Sequence, residues 1–269
     1  MSRPLIALLT DFGLADPYVG VMKGVMKGIC PDVEFIDITH GVRPQSVIDA
    51  AFLLATSRAH FPDHTVFLCV VDPGVGSDRA ALAVESSTHR FVAPDNGLLS
   101  LVWRHLDDPE AHRIINPAYR LAEVSATFHG RDIFAPAAAH LAAGVPIEEL
   151  GPPMPDIEHL AFARPHREGA ETLIAAVVHI DHFGNLITNA RQSDLPRGVA
   201  PADLRITFGR HRIEGLKTTY SFVDAGSPIA HWGSSGHLEL AVRDGNAAER
   251  FGLAIGDAVQ VTWPMGGEG

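Results

Sequence analysis

Cysteine is nearly missing from this 269-residue chain, with only Cys30 and Cys69 present. Two cysteines build no disulfide framework, which excludes a small disulfide-stapled secreted scaffold. Cys69 sits inside an apolar run and Cys30 closes a helical stretch, so both read as small hydrophobes in a reducing compartment. Basic residues are also scarce, 21 Lys and Arg against 32 Asp and Glu, for a net charge of −11. That balance argues against non-specific nucleic-acid binding, which needs cations against phosphates. Solubility explains it most simply, and long-range attraction of a cationic ligand fits it as well. No apolar run approaches the roughly 20 residues of a membrane span. The apolar run after Met1-Ser2-Arg3 is too short for a signal-peptide core, so a cytoplasmic protein without nucleic-acid or membrane partners is expected. Missing too are HExxH, CxxC, GxSxG and the Gly-Lys-Ser/Thr ending of a phosphate loop. The 15 histidines are scattered without metal-ligand spacing, so no metal is expected.

What is present describes an ordinary globular protein, 46% hydrophobic and 20% charged. Its first half alternates apolar strands with helical periodicity. Ile6 to Leu9, Val33 to Ile38, Val66 to Val71, Ala80 to Val84 and Phe91 to Ala93 read as strands. Helices are expected after Pro17, over 46–59, over 98–105 and over 132–142. Such alternation predicts an α/β domain, a mostly parallel sheet with helices on both faces, over residues 1–150. Pro and charge then dominate a linker over 151–170. Residues 171–269 read as a smaller all-β, barrel-like domain of short strands, with Gly209-Arg210 as one turn.

Polar residues cluster just after the apolar strands. Thr10-Asp11-Phe12-Gly13, Asp72-Pro73-Gly74-Val75-Gly76 and Asp181-His182-Phe183-Gly184-Asn185 each follow one. Ligands of open α/β sheets bind outside the carboxyl ends of strands, so three acids at three such ends suggest one shared site. Each also has a structural reading. Asp11 can accept from a ribose diol or stabilise a turn. Asp16, before Pro17, reads as a helix N-cap. Asp72 and Arg79 can form a structural ion pair across their loop. His129 in Phe128-His129-Gly130-Arg131-Asp132 is a base or orienting group, or simply a residue before a helix, and Asp132 a first-turn acid. Phe183 can stack on an aromatic ring and Asn185 can read an adenine edge, or both lie in a turn between two strands.

Six segments together resemble the S-adenosyl-L-methionine (SAM) hydrolase family, also called SAM hydroxide adenosyltransferases, relatives of the fluorinases and chlorinases. They are Leu9–Gly13 with Tyr18–Gly24, Val71–Gly76, Ala93–Leu99, Thr127–Pro136, Asp181–Asn189, and Gly233–Ala241 with Gly245–Ala248, in family order along nearly the whole chain. The resemblance implies an N-terminal α/β domain, a C-terminal barrel-like domain, and a homotrimer with active sites between subunits. It implies attack of water or hydroxide on C5′ of SAM, giving adenosine and L-methionine, with no metal or cofactor. By matching position, Asp72, Arg79 and His129 are the implied catalytic triad. Asp11 is the ribose-binding acid, with Phe12, Asp16 and Tyr18 along ribose and methionine. Asp181 and Ser234 hold the methionine amine and carboxylate, and Phe183 and Asn185 line the adenine pocket. Glu239 and Val242 complete the implied substrate-binding set. Ser235 stands where some relatives carry an Arg for the methionine carboxylate, and Asp72 stands where halogenating relatives place a Tyr, which favours water over halide. A SAM-dependent halogenase, and from another class a non-catalytic SAM or adenosine sensor, are the competing readings.

Overall fold

A computed structural model describes residues 3–161 and 164–264. The chain divides into two compact units that meet in sequence at Leu160 and Ala161.

The N-terminal unit is built on six strands, β1 (Leu5–Thr10), β2 (Glu34–Thr39), β3 (Val66–Val70), β4 (Ala81–Glu85), β5 (Arg90–Pro94) and β6 (Glu110–Arg113). Their order is β2-β1-β3-β5-β4-β6. The first four in that order run parallel, whereas β4 is antiparallel to both of its neighbours. β3 is buried along its whole length, as befits a parallel strand covered on both faces. Helix α1 (Tyr18–Ile29) and the alanine-rich α4 (Ala135–Ala142) cover one face, burying Met22, Met26, Ala138 and Leu141. Helix α2 (Val47–Ser57) and the short α3 (Ser100–Trp103) cover the other, with Ala50, Leu54 and Val102. From β1 the chain passes to β2 on one side and then to β3 on the other. The reversal makes the ends of β1 and β3 a topological switch point, where α/β sheets bind ligands.

Several local expectations change. The residue that caps α1 is Pro17, and no side chain caps that helix, so Asp16 is not its N-cap. The expected helix over 132–142 begins at Ala135, preceded by a wide π turn over Gly130–Phe134. Strand β6 was not legible, because its sequence Glu-Ala-His-Arg carries almost no apolar pattern. Residues 152–160 run along this unit, with Met154 N donating to Ala111 O at 2.7 Å and Leu160 N to Ser100 Oγ at 2.9 Å.

The C-terminal unit is antiparallel. Its strands are β7 (His166–Arg167), β8 (Thr172–Ile180), β9 (Leu186–Arg191), β10 (Arg205–Phe208), β11 (His211–Glu214), β12 (Pro228–Trp232), β13 (His237–Val242) and β14 (Ala258–Thr262). The path β11-β10-β14-β8-β9-β13-β12 curls until its two ends approach, where Lys217 N, just past β11, donates to Ala230 O of β12 at 2.9 Å. A nearly closed barrel results, filled by Leu186, Phe208, Leu238, Leu240 and Val259. Helix α5 (Ala247–Phe251) is capped by Asn246, whose side chain accepts from Glu249 N. β12 escaped the sequence reading because it opens on Pro and carries a His, a pattern tolerated at a sheet edge. Among the described residues, no helix is long and apolar enough to cross a membrane.

Candidate active site

Register brings two of the three acids together. Thr10 at the end of β1 pairs with Val70 at the end of β3, so Asp11 and Asp72 leave the sheet from neighbouring strands. The buried Thr10 hydroxyl lies 2.8 Å from His40 Nδ1, anchoring that exit, and Asp11 Oδ2 accepts from Gln45 N at 2.8 Å. Asp181 belongs elsewhere. It begins the turn between the antiparallel strands β8 and β9 of the other unit, not the end of a parallel strand, which corrects the expectation of three equivalent strand-end acids.

The loop after β3 folds back so that Arg79 grips Asp72. Arg79 Nε donates to Asp72 Oδ1 at 2.8 Å and Nη2 donates to Oδ2, a bidentate pair. Its side chains are only 6% and 11% exposed, so solvent screens it little. Arg79 Nη1 donates to Ala80 O at 3.0 Å, and the guanidinium lies 5.0 Å above the Phe134 ring. Nη2 also reaches His129 Nδ1 at 3.1 Å. Arginine only donates, so Nδ1 accepts and the neutral ring carries its proton on Nε2. Burial and then the Arg79 cation push the His129 pKa down, against the opposing pull of Asp72 and Asp132. The expected triad is therefore one connected group: carboxylate, guanidinium, neutral imidazole.

Two glycines permit this arrangement. Gly76 has φ +81°, and a Cβ there would lie 2.6 Å from Ala126 O, so the Asp72 loop and the loop before His129 touch backbone to backbone. At Gly130 a Cβ would meet Phe128, Phe12 and Met22 at 3.1 to 3.3 Å. The π turn it opens is a device often found at functional sites. Asp132 is fully buried and accepts from Arg131 Nε at 2.5 Å and Ser125 N at 2.8 Å, tying down the approach to His129. Phe12, Tyr18 and Phe128 form a three-ring cluster, with centroids 5.1 to 5.9 Å apart, that adjoins His129 through Phe128. Asp16 is exposed.

In the C-terminal unit the turn 181–185 is locked by its own acid. Asp181 Oδ1 accepts from Phe183 N at 2.9 Å and Asn185 N at 2.8 Å, and Oδ2 accepts from Asn185 Nδ2 at 2.8 Å. Gly184, at φ +83°, presses on Asn246, which holds the turn against α5. The turn forms one wall of a cavity of about 950 Å³ that also takes in Tyr220, Ser234, Glu239 and Val242. Phe183 projects into solvent at its rim, 72% exposed. Ser235 is not on the cavity wall. Its hydroxyl lies 3.1 Å from His237 Nδ1, and Arg191 Nε donates to His237 Nε2 at 3.1 Å.

Sequence reasoning passed over two residues. Asn96 Nδ2 donates to Val71 O at 2.9 Å, bracing the backbone just before Asp72. It stood in a visible turn signal, Asp95-Asn96-Gly97. Tyr220 lies on the cavity wall with its hydroxyl 3.4 Å from Asn185 Nδ2, in a single-turn segment with no periodic signal.

The family model described as the SAM hydroxide adenosyltransferase N-terminal domain matches residues 6–151, and its C-terminal counterpart matches residues 175–260. A Thermus thermophilus protein named (R)-S-adenosyl-L-methionine hydrolase is 40% identical over 268 residues, covering 96% of this chain and 99% of its own. A Nocardia brasiliensis fluorinase is 32% identical, covering 96% and 97%. The crystal structure of an uncharacterized conserved protein from Thermotoga maritima superposes with a TM-score of 0.86 at 38% identity, covering 96% and 99%. Matches of this extent, on a sheet that presents Asp72, Arg79 and His129 as one connected group, establish that the chain belongs to the SAM hydroxide adenosyltransferase family.

Proposed function

We propose that this protein hydrolyses S-adenosyl-L-methionine to adenosine and L-methionine by attack of water on C5′. The observation that carries the reading is the Asp72–Arg79–His129 contact at the switch point of the sheet. The full-length similarity to proteins named (R)-S-adenosyl-L-methionine hydrolase supports it.

The chemistry suits these groups. The sulfonium leaves as a neutral thioether, so a hydroxide-like nucleophile and the cation cancel in the transition state, and a site poor in water favours that loss of charge. Arg79 stabilises hydroxide character on the attacking water, and Asp72 orients that water and draws its proton. His129, neutral with its proton on Nε2, holds Arg79 in place through Nδ1. In the same reading Asp11 holds the ribose, and Phe12, Asp16 and Tyr18 flank ribose and methionine. Asp181 and Ser234 hold the methionine end, and Phe183 and Asn185 the adenine. The triad lies in one unit and the cavity in the other, which fits a cytoplasmic homotrimer whose sites combine the N-terminal unit of one subunit with the C-terminal unit of the next.

Incubation with SAM in water carrying heavy oxygen, followed by mass spectrometry, tests the reading. Label in adenosine, with unlabelled methionine, is expected. SAM recovered intact despite calorimetric binding would replace the hydrolase with a sensor. Fluorinase relatives warrant a parallel assay with chloride and fluoride. The Asp72 carboxylate repels a halide but can take a proton from water, so no halogenated nucleoside is expected.

A further inference from the structure

The exit of β1 is held from behind by the chain that follows β2. Val42 N donates to Thr10 O at 3.3 Å, Gly13 N to His40 O at 2.8 Å, and Gln45 N to Asp11 Oδ2 at 2.8 Å. Gln45 does so at φ +66°, a strained conformation of the kind that collects at ligand clamps. Residues 40–45 thus grip residues 10, 11 and 13 in turn. Within that grip Phe12 N donates to Thr10 Oγ1 at 3.3 Å, a side-chain turn with Asp11 at its apex. Asp11 accepts only the Gln45 bond from the described residues, so its carboxylate keeps acceptor positions for a ligand.

The hydroxyl that closes this turn is fixed by a row of side chains. It lies 2.8 Å from His40 Nδ1, His40 Nε2 lies 3.1 Å from Asp37 Oδ1, and Lys23 Nζ of α1 donates to Asp37 Oδ2 at 2.7 Å. A carboxylate only accepts, so Asp37 sets the ring proton on Nε2 and leaves Nδ1 to accept. The Thr10 hydroxyl then gives its one proton to His40 and turns its lone pairs to Phe12 N. Thr10 is fully buried, so its hydroxyl is a strut and not a nucleophile. A β-bulge makes the row possible. Leu8 pairs with Asp37 but Leu9 with Thr39, so Ile38 is an extra residue in β2. In a regular strand residues 37 and 40 project to opposite faces, and the extra residue changes the phase so that Asp37 meets His40.

We propose that His40 is a positioning residue for the substrate. Through the Thr10 hydroxyl it holds the turn that presents Asp11, and so sets the discrimination for a nucleoside with an intact 2′,3′-diol. Asp37 and Lys23 fix the ring that does this. The proposal rests on the reading in which Asp11 holds the ribose. A vicinal diol offers two O–H donors side by side, and a carboxylate receives both only when its plane is held. A mis-aimed Asp11 loses the diol and leaves the hold on adenine untouched.

The test reads binding without turnover. Adenosine and 2′,3′-dideoxyadenosine are titrated by calorimetry into the wild type, His40→Gln and His40→Asn. The amide of His40→Gln falls at the place of Nε2 and keeps the Asp37 contact. The amide of His40→Asn falls at the place of Nδ1 and keeps the Thr10 contact. The wild type is expected to prefer adenosine, His40→Gln to lose about threefold to tenfold of that preference, the worth of one neutral hydrogen bond, and His40→Asn to keep most of it. Thr10→Val, of the same shape without the hydroxyl, is expected to match His40→Gln and carries the test if that variant does not fold. Dideoxyadenosine affinity within about threefold of wild type shows a variant to be folded. A loss equal in His40→Gln and His40→Asn, or equal for the two nucleosides, makes His40 a structural residue only and overturns the proposal, as does a wild type indifferent to the diol. Failure of the hydrolase reading appears separately, as intact SAM in the labelled-water assay.

Discussion

Gly76→Ala is expected to damage stability and turnover through one carbon atom. Two costs add. At φ +81° an alanine is strained by about 1–2 kcal/mol. Its Cβ would also lie 2.6 Å from Ala126 O, a backbone atom that yields only if a loop moves, which adds about 1–3 kcal/mol. The sum of about 2–5 kcal/mol corresponds to a fall in Tm of roughly 4–20 °C for a chain of this size. The loops that must part carry Asp72 and Arg79 on one side and His129 on the other. Arg79 Nη2 is 3.1 Å from His129 Nδ1, so a few tenths of an ångström ends that hydrogen bond. A misplacement of about 1 Å costs roughly a hundredfold in rate, which sets the upper size of the loss expected. Differential scanning calorimetry and SAM turnover read the two effects. Gly24→Ala is the control: it lies on the exposed face of α1 with nothing within 4 Å of the new Cβ, and should gain about 0.5–1 kcal/mol. A Gly76→Ala protein with wild-type Tm and turnover would refute the reasoning.

Three further outcomes are expected. If Asp72 acts on the attacking water as proposed, Asp72→Ala should lower kcat far more than it raises KM for SAM; equal changes in both would remove it from that role. Asn185→Asp sets a carboxylate where an amide donates to Asp181 Oδ2 at 2.8 Å, so the two like charges should repel and adenosine binding should fall at neutral pH and partly return on acidification; affinity independent of pH would contradict the assigned turn. His237 is held at a pKa of about 4 by burial and by the Arg191 cation, below its ordinary 6.5. The unfolded chain therefore binds that proton first as pH falls, so the stabilisation is complete above pH 6.5 and lost on the way down to about 4. It amounts to roughly 3 kcal/mol, and a His237→Gln protein should show a shallower decline of Tm from pH 7 to 4.

Much of the fold was legible. The apolar runs that became β1 and β3 are buried on both faces, and such strands announce themselves by continuous hydrophobicity. Strands β6 and β12 were not, because edge strands bury only part of a short, partly polar segment. Asp16 misled for a related reason: an acid before Pro at a helix start has the composition of a cap, but capping depends on a side-chain direction that composition does not carry. The π turn over Gly130–Phe134 is equally silent in the sequence, where nothing local shows that two rings and a methionine crowd Gly130.

The candidate site divides the same way. Candidate residues could be named from local order, because acids, glycines and aromatics recur just beyond strand ends and turns need them there. Their mutual arrangement was not. Asp72 and His129 are far apart in sequence and meet only because Arg79 reaches both, within loops that Gly76 allows to touch. Asp181 looked like Asp11 and Asp72, yet it serves an antiparallel hairpin in the other unit, where its oxygens already accept three hydrogen bonds from its own turn. Local propensity and burial act over a few residues and so are written along the chain. Pairing of charges, tautomer choice and spare hydrogen-bonding capacity depend on which distant groups the folded backbone sets face to face.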